Sequence, residues 1–192
     1  MILLGLDPSS TLFGWCCGSG RGAVPDCGAW QMPDHDGDFG LMLAALEDYL
    51  NTAFARFGFE AVAYEKPLLV PKRFINKAGQ RISVGGDNLP KLRRLYPLGA
   101  FTEWWCYRRE IPVYEVTVQE VKAEVTGNHL AEKGDLVSVA QRCGLKLPPS
   151  KAQGIEDAAD AFGAWLLLLR HCDSDASRKW DALIWSGRGS LL

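Results

Sequence analysis

Four carboxylates stand where an acid is costly and therefore informative. Asp7 ends the apolar run "ILLGL" (2–6) and Glu65 ends "AVAY" (61–64), each followed within two residues by a proline. Asp157 and Asp160 are three residues apart in "EDAADAFGAW" (156–165), a spacing that puts both on one side of a helix. An acid brought near a core loses hydration, and two brought together repel, so such a set calls for a compensating cation. Carboxylate oxygens suit hard divalent ions, here Mg²⁺ with Mn²⁺ as its substitute. Two ions about 4 Å apart would suit hydrolysis of a phosphodiester. Each acid also has an ordinary reading. Asp7 can cap the turn at Pro8, Ser9 and Ser10. Asp157 and Asp160, with Glu156, can face solvent at a helix N-terminus, where the dipole favours acids. The chemical reading holds only if the fold gathers all four.

The elements that would gather them are legible in the hydrophobic pattern. The run before Asp7 reads as a strand buried on both faces, followed by two short strands (11–20 and 23–32) joined by "GSGRG". Apolar residues at 39, 42, 43, 46, 50, 53, 54 and 57 predict a helix closed by Gly58, and a second short strand (60–67) ends at Glu65. A strand, a helix and a strand make a crossover, so the Asp7 and Glu65 strands are expected to run parallel with their C-terminal ends at one edge. Residues 67–90, rich in Pro and Gly, read as an irregular connection. A helical segment interrupted by Pro97 (92–110), a strand (111–116) and a helix opened by Thr117 and Glu120 (117–125) follow. A turn and helix (126–144) and an apolar helix (155–171) complete the body, expected as one domain over 1–172 with a tail over 173–192. Trp180, Ile184 and Trp185 in that tail can dock on the body or on a partner.

Composition limits the function classes. The 192 residues are 47% hydrophobic with a net charge of −2, enough for one core and without a global bias toward nucleic acid or membrane. Six Cys without a C-x-x-C pair and three scattered His argue against a zinc site or a disulfide framework. No stretch is a signal peptide or a membrane span, so a soluble, cytoplasmic protein is expected. Positive charge is local. Lys72, Arg73, Lys77, Arg81, Lys91, Arg93 and Arg94 face a single acid, Asp87, across the irregular connection beside Glu65. That concentration reads as a phosphate-binding surface, with Phe74 available to stack on an unpaired base. A solvated basic loop is the ordinary alternative. His129, alone in a turn, reads as a surface residue that could touch phosphate or water. The aromatic residues at 101, 104, 105 and 107 fall at helical spacing and read as core or dimer interface.

The order of these elements and acids resembles the ribonuclease H-like superfamily, and within it the RuvC family of Holliday junction resolvases. The matching stretches are "GLDPSSTLFGW", "AYEKP", "VKAEVTGNHLAEKGDLV" (121–137) and "EDAADAFGAW". The resemblance implies a mixed five-stranded α/β sheet flanked by helices and a homodimer acting on branched DNA. Asp7, Glu65, Asp157 and Asp160 match the metal-binding catalytic quartet, and Lys122 and Lys133 match lysines that serve the DNA backbone near the scissile phosphate. It further implies products with a 5′-phosphate. Gly127, Asn128 and His129 replace the family's usual G-x-G, and the segment after Glu65 is longer; both departures resemble the phage or prophage branch, active in bacterial host cells. "GLDPSST" also resembles the phosphate loop of actin-like and sugar-kinase ATPases, but one crossover core in 192 residues lacks their second domain. A flap or single-strand endonuclease with the same metal site, and a branched-DNA-binding module that does not cut, are the other readings.

Overall fold

The computed structural model describes residues 1–34, 38–67, 72–75, 81–84 and 89–185, with the backbone alone described at 72–75, 81–84 and 89–92. Five strands form the sheet: β1 (Leu3–Asp7), β2 (Leu12–Gly18), β3 (Asp26–Gln31), β4 (Ala61–Glu65) and β7 (Val113–Val116). Their order is β3-β2-β1-β4-β7; β1, β4 and β7 run parallel, whereas β2 and β3 continue from β1 as an antiparallel meander. The crossover from β1 to β4 is carried by helix α1 (Phe39–Phe57), started by the Asp38 side chain on the Leu41 amide and stopped by Gly58 in the left-handed region. Leu6 pairs with Tyr64, so the next residues, Asp7 and Glu65, end neighbouring strands at the same edge.

Alternation along the strands divides the interior into two cores. Leu4, Leu6, Val62 and Tyr64 point toward α1 and helix α2 (Leu89–Tyr107), joining Leu46, Leu50, Leu98 and Trp105. Leu3, Ala61 and Ala63 point to the other side, toward α3 (Val118–Thr126), α4 (Lys133–Arg142), α5 (Ile155–Cys172) and α6 (Ser174–Trp185). Gly5, two residues from Leu3, also faces α5. A Cβ there would lie 2.3 Å from the Ala161 carbonyl oxygen, and one at Gly14 would lie 2.1 Å from that of Asp157. The two glycines let α5 press directly onto β1 and β2.

Two expectations change. Residues 67–90 are not wholly irregular: β5 (Lys72–Ile75) and β6 (Arg81–Val84) pair antiparallel as a separate two-stranded ribbon, and α2 begins at Leu89. Runs of four residues, K-R-F-I and R-I-S-V, are too short for period-two alternation to register, and their pairing is made by backbone groups. Pro97 does not interrupt α2. It removes the hydrogen bond to the carbonyl of Arg93, an exposed residue whose backbone water can serve.

The tail segment carries α6, which docks on the body. Trp180 is 2% exposed, packs edge-on to Trp165 and donates its indole N–H to the Gly20 carbonyl. Aromatic residues of α2 divide between two fates: Trp105 is fully buried, whereas Trp104 and Tyr107 are 48% and 80% exposed. No helix among the described residues is long and apolar enough to cross a membrane.

Candidate active site

Asp7 shares the parity of Leu3 and Gly5 and therefore points to the α5 side of β1; Glu65, with the parity of Ala61 and Ala63, points to the same side of β4. Asp157 lies in the first turn of α5 and Asp160 one turn further, on the part of the helix that the two glycines draw against the strands. The acids thus converge from three elements. Asp7 and Asp160 are 9% and 7% exposed, and Glu65 and Asp157 are half-buried. Glu156 turns aside to Lys151, 3.1 Å away, and leaves the cluster.

Their electrostatics record the crowding. Burial pushes the Asp7 carboxyl well above the usual carboxylate range, and the charges of Glu65 and Asp160 push it further. Burial also raises Asp160 and Asp157, each opposed chiefly by Lys133. Lys133 supplies the compensating charge. Its Nζ lies 3.0 Å from Asp160 Oδ2 at the start of α4. Burial alone would lower the Lys133 ammonium; Asp160, then Asp7 and Asp157, outweigh it and hold the proton on above the ordinary lysine range. Lys122, in the middle of α3, adds a smaller pull on Asp160.

The segment between the two lysines explains the V-K-x-x-V-T-G-N stretch. Thr117 and Glu120 cap α3 reciprocally, and Gly127 closes it at φ 69°. The Thr126 side chain, 4% exposed, donates to the Lys122 carbonyl and accepts from the Asn128 amide, pinning the turn that leads to Lys133.

The hard oxygen donors of Asp7, Glu65, Asp157 and Asp160 are the chemistry a divalent cation such as Mg²⁺ requires. As the side chains stand, no three His, Cys, Asp or Glu among the described residues are grouped closely enough to hold a metal ion, and Lys133 provides the positive charge. The remaining candidates are dispersed. Arg93 and Arg94 are exposed on α2, and Arg94 lines a cavity of about 230 Å³ with Ser10, Thr11 and Gln31. Lys72, Arg73 and Phe74 lie on β5, Arg81 on β6 and Lys91 in α2, their side chains outside the described set; Lys77 lies outside the described residues. His129 is exposed in the turn after α3. Gly5 and Gly14 escaped the sequence reading, although the Leu3-Gly5-Asp7 alternation held the signal for the first.

No protein-family model matches this sequence, and no curated protein is significantly similar to it. Solved structures are. RuvC of Thermus thermophilus superposes with a TM-score of 0.60 at 15% identity, covering 98% of this chain and 97% of that one. T. thermophilus RuvC in complex with a Holliday junction substrate gives 0.60 at 18% identity over 89% of this chain and 96% of that one. The yeast mitochondrial Holliday junction resolvase Ydc2 gives 0.52 at 14% identity over 97% and 81%. At such identities the likeness defines the fold: a mixed five-stranded sheet flanked by helices, of the ribonuclease H-like kind.

Proposed function

We propose that this chain is a metal-dependent, structure-selective DNA endonuclease that resolves four-way junctions, and other branched DNA, by hydrolysing a phosphodiester. The observation that carries this reading is the convergence of Asp7, Glu65, Asp157 and Asp160, with Lys133 among them, at the C-terminal edge of β1 and β4. It is supported by a fold similar to that of T. thermophilus RuvC, which has been solved with a Holliday junction substrate.

In this reading the four carboxylates hold Mg²⁺, or Mn²⁺ in its place, as two ions. Bound there, the metal would activate water and stabilise the leaving oxygen. The rest belongs to the chain. With a cation held there, Lys133 would be free to pair with a backbone phosphate, and Lys122 would secure the same strand from α3. Lys72, Arg73 and Phe74 of β5, Arg81 of β6, Lys91, Arg93 and Arg94 of α2, together with Lys77, hold the more distant backbone. Hydrolysis leaves a 5′-phosphate. Two active sites are needed to cut opposed strands, and the exposed Tyr96, Trp104 and Tyr107 of α2 offer an apolar face for a second copy.

Cleavage of a labelled four-way junction, a 5′ flap, single strands and linear duplex tests this, with Mg²⁺ or EDTA, in wild type and Asp157→Asn. Symmetric, Mg²⁺-dependent nicks in the junction are expected, reduced at least about 1,000-fold in the variant. Preference for flaps or single strands would retain the metal site with another substrate. Tight junction binding with no cutting would leave a binding module.

A further inference from the structure

The turn between α3 and α4 presents a leucine to solvent. Leu130 is 75% exposed, and among the described large hydrophobic residues only Tyr107 is more so. Neither core includes it. Its backbone, by contrast, is held from several sides. The Leu130 amide donates to Asn128 Oδ1 at 3.0 Å, the Ala131 amide donates to the Asn128 carbonyl at 3.0 Å, and Ala131 is buried at 3% exposure. Asn128 is itself anchored by the buried Thr126 hydroxyl. A rigid turn therefore projects an apolar side chain that does nothing for the core.

Its neighbourhood defines the occupant. Leu130 stands three residues before Lys133, hence within about 11 Å of it, and the Thr126 hydroxyl that anchors the turn donates to the Lys122 carbonyl. Leu130 is therefore within the reach of about three nucleotides from a phosphate held by Lys133, at about 3.4 Å of rise each. Apolar side chains inserted at base steps unstack them, and the cost is least where pairing is already interrupted, as at a branch.

We infer that Leu130 is a nucleotide contact of the strand being cut: it packs against a base beside the scissile phosphate and holds it unstacked, positioning the phosphate over the carboxylates. This rests on the nuclease reading above and adds a specificity residue to it.

The test uses the full chain and a panel of four-way junctions, each with one 2-aminopurine near the branch, in EDTA so that nothing is cut. Wild type is expected to raise the fluorescence at one position about threefold. Leu130→Ala is expected to lose that rise while binding the junction within about threefold of wild type, and to cut about tenfold more slowly with Mg²⁺. Leu130→Met should restore both, and equal thermal melting of the three proteins would show that the fold is unchanged. If Leu130→Ala matches wild type in fluorescence and cutting, the inference is overturned and the nuclease reading stands. If wild type binds and cuts the junction but brightens no position, Leu130 unstacks no base and the inference is again overturned. If wild type neither binds nor cuts branched DNA, both fall together.

Discussion

Asp7 answers to two descriptions, a turn cap and a member of a charged cluster, and its surroundings favour the second. It is buried, its charge is opposed by Glu65 and Asp160, and among the described residues Lys133 offsets that opposition. A structural cap would stabilise the fold; a carboxylate kept against its neighbours' repulsion destabilises it. Asp7→Asn, isosteric and neutral, is therefore expected to raise the melting temperature in EDTA by several degrees, since about 1 kcal/mol moves it by about 2–4 °C in a chain of this size. The same change should abolish Mg²⁺-dependent cleavage. A lower melting temperature, measured by circular dichroism, would return Asp7 to the turn.

At the scale of elements, α6 illustrates how a tail becomes part of a body. Asp173 Oδ1 accepts from the Ala176 amide at the start of α6, and the carboxylate takes two hydrogen bonds from Arg21, at 2.6 and 3.0 Å. The Arg21 hydrogen bond first, then the Ala176 amide, hold the Asp173 carboxyl down to about 2. Because the folded value is depressed, the contribution to α6 docking is complete above the ordinary aspartate range near 4 and is lost as pH falls through about 2. Amide hydrogen exchange over 174–185 should accelerate in that window, and Asp173→Asn should show weak protection already at neutral pH. Protection unchanged by the substitution would mean that Trp180 alone anchors the helix.

For the whole molecule the open surface is the outward side of α2. Tyr107 and Trp104 are exposed there, Arg108 stacks on the Trp104 ring at 5.6 Å, and none of this side contributes to the core. If α2 forms the proposed dimer, Trp104→Glu combined with Tyr107→Glu is expected to leave the melting temperature unchanged, to give a monomer by light scattering where wild type gives a dimer, and to replace paired nicks in a junction by single ones. A double variant that stays dimeric and still makes paired nicks would remove α2 from the interface.

By itself the sequence determined the alternation of strands and helices, because apolar periodicity and capping residues act over a few positions. It placed α1 from residue 39 to a stop at Gly58, α3 behind Thr117, and the acids at strand ends and on an apolar helix. The parallel pairing of β1 and β4 followed from the crossover. What only the tertiary structure decided depends on distant residues meeting. Gly5 and Gly14 matter because α5, about 150 positions later, lies on them. Lys133 is the counter-charge because the turn pinned by Thr126 aims α4 at Asp160. The pairing of β5 with β6 lies in backbone groups, which every sequence possesses. Whether a tryptophan is core, as Trp105, or surface, as Trp104, turns on one residue of helical phase, about 100° of rotation that α1 resolves by covering one side of α2 and leaving the other open.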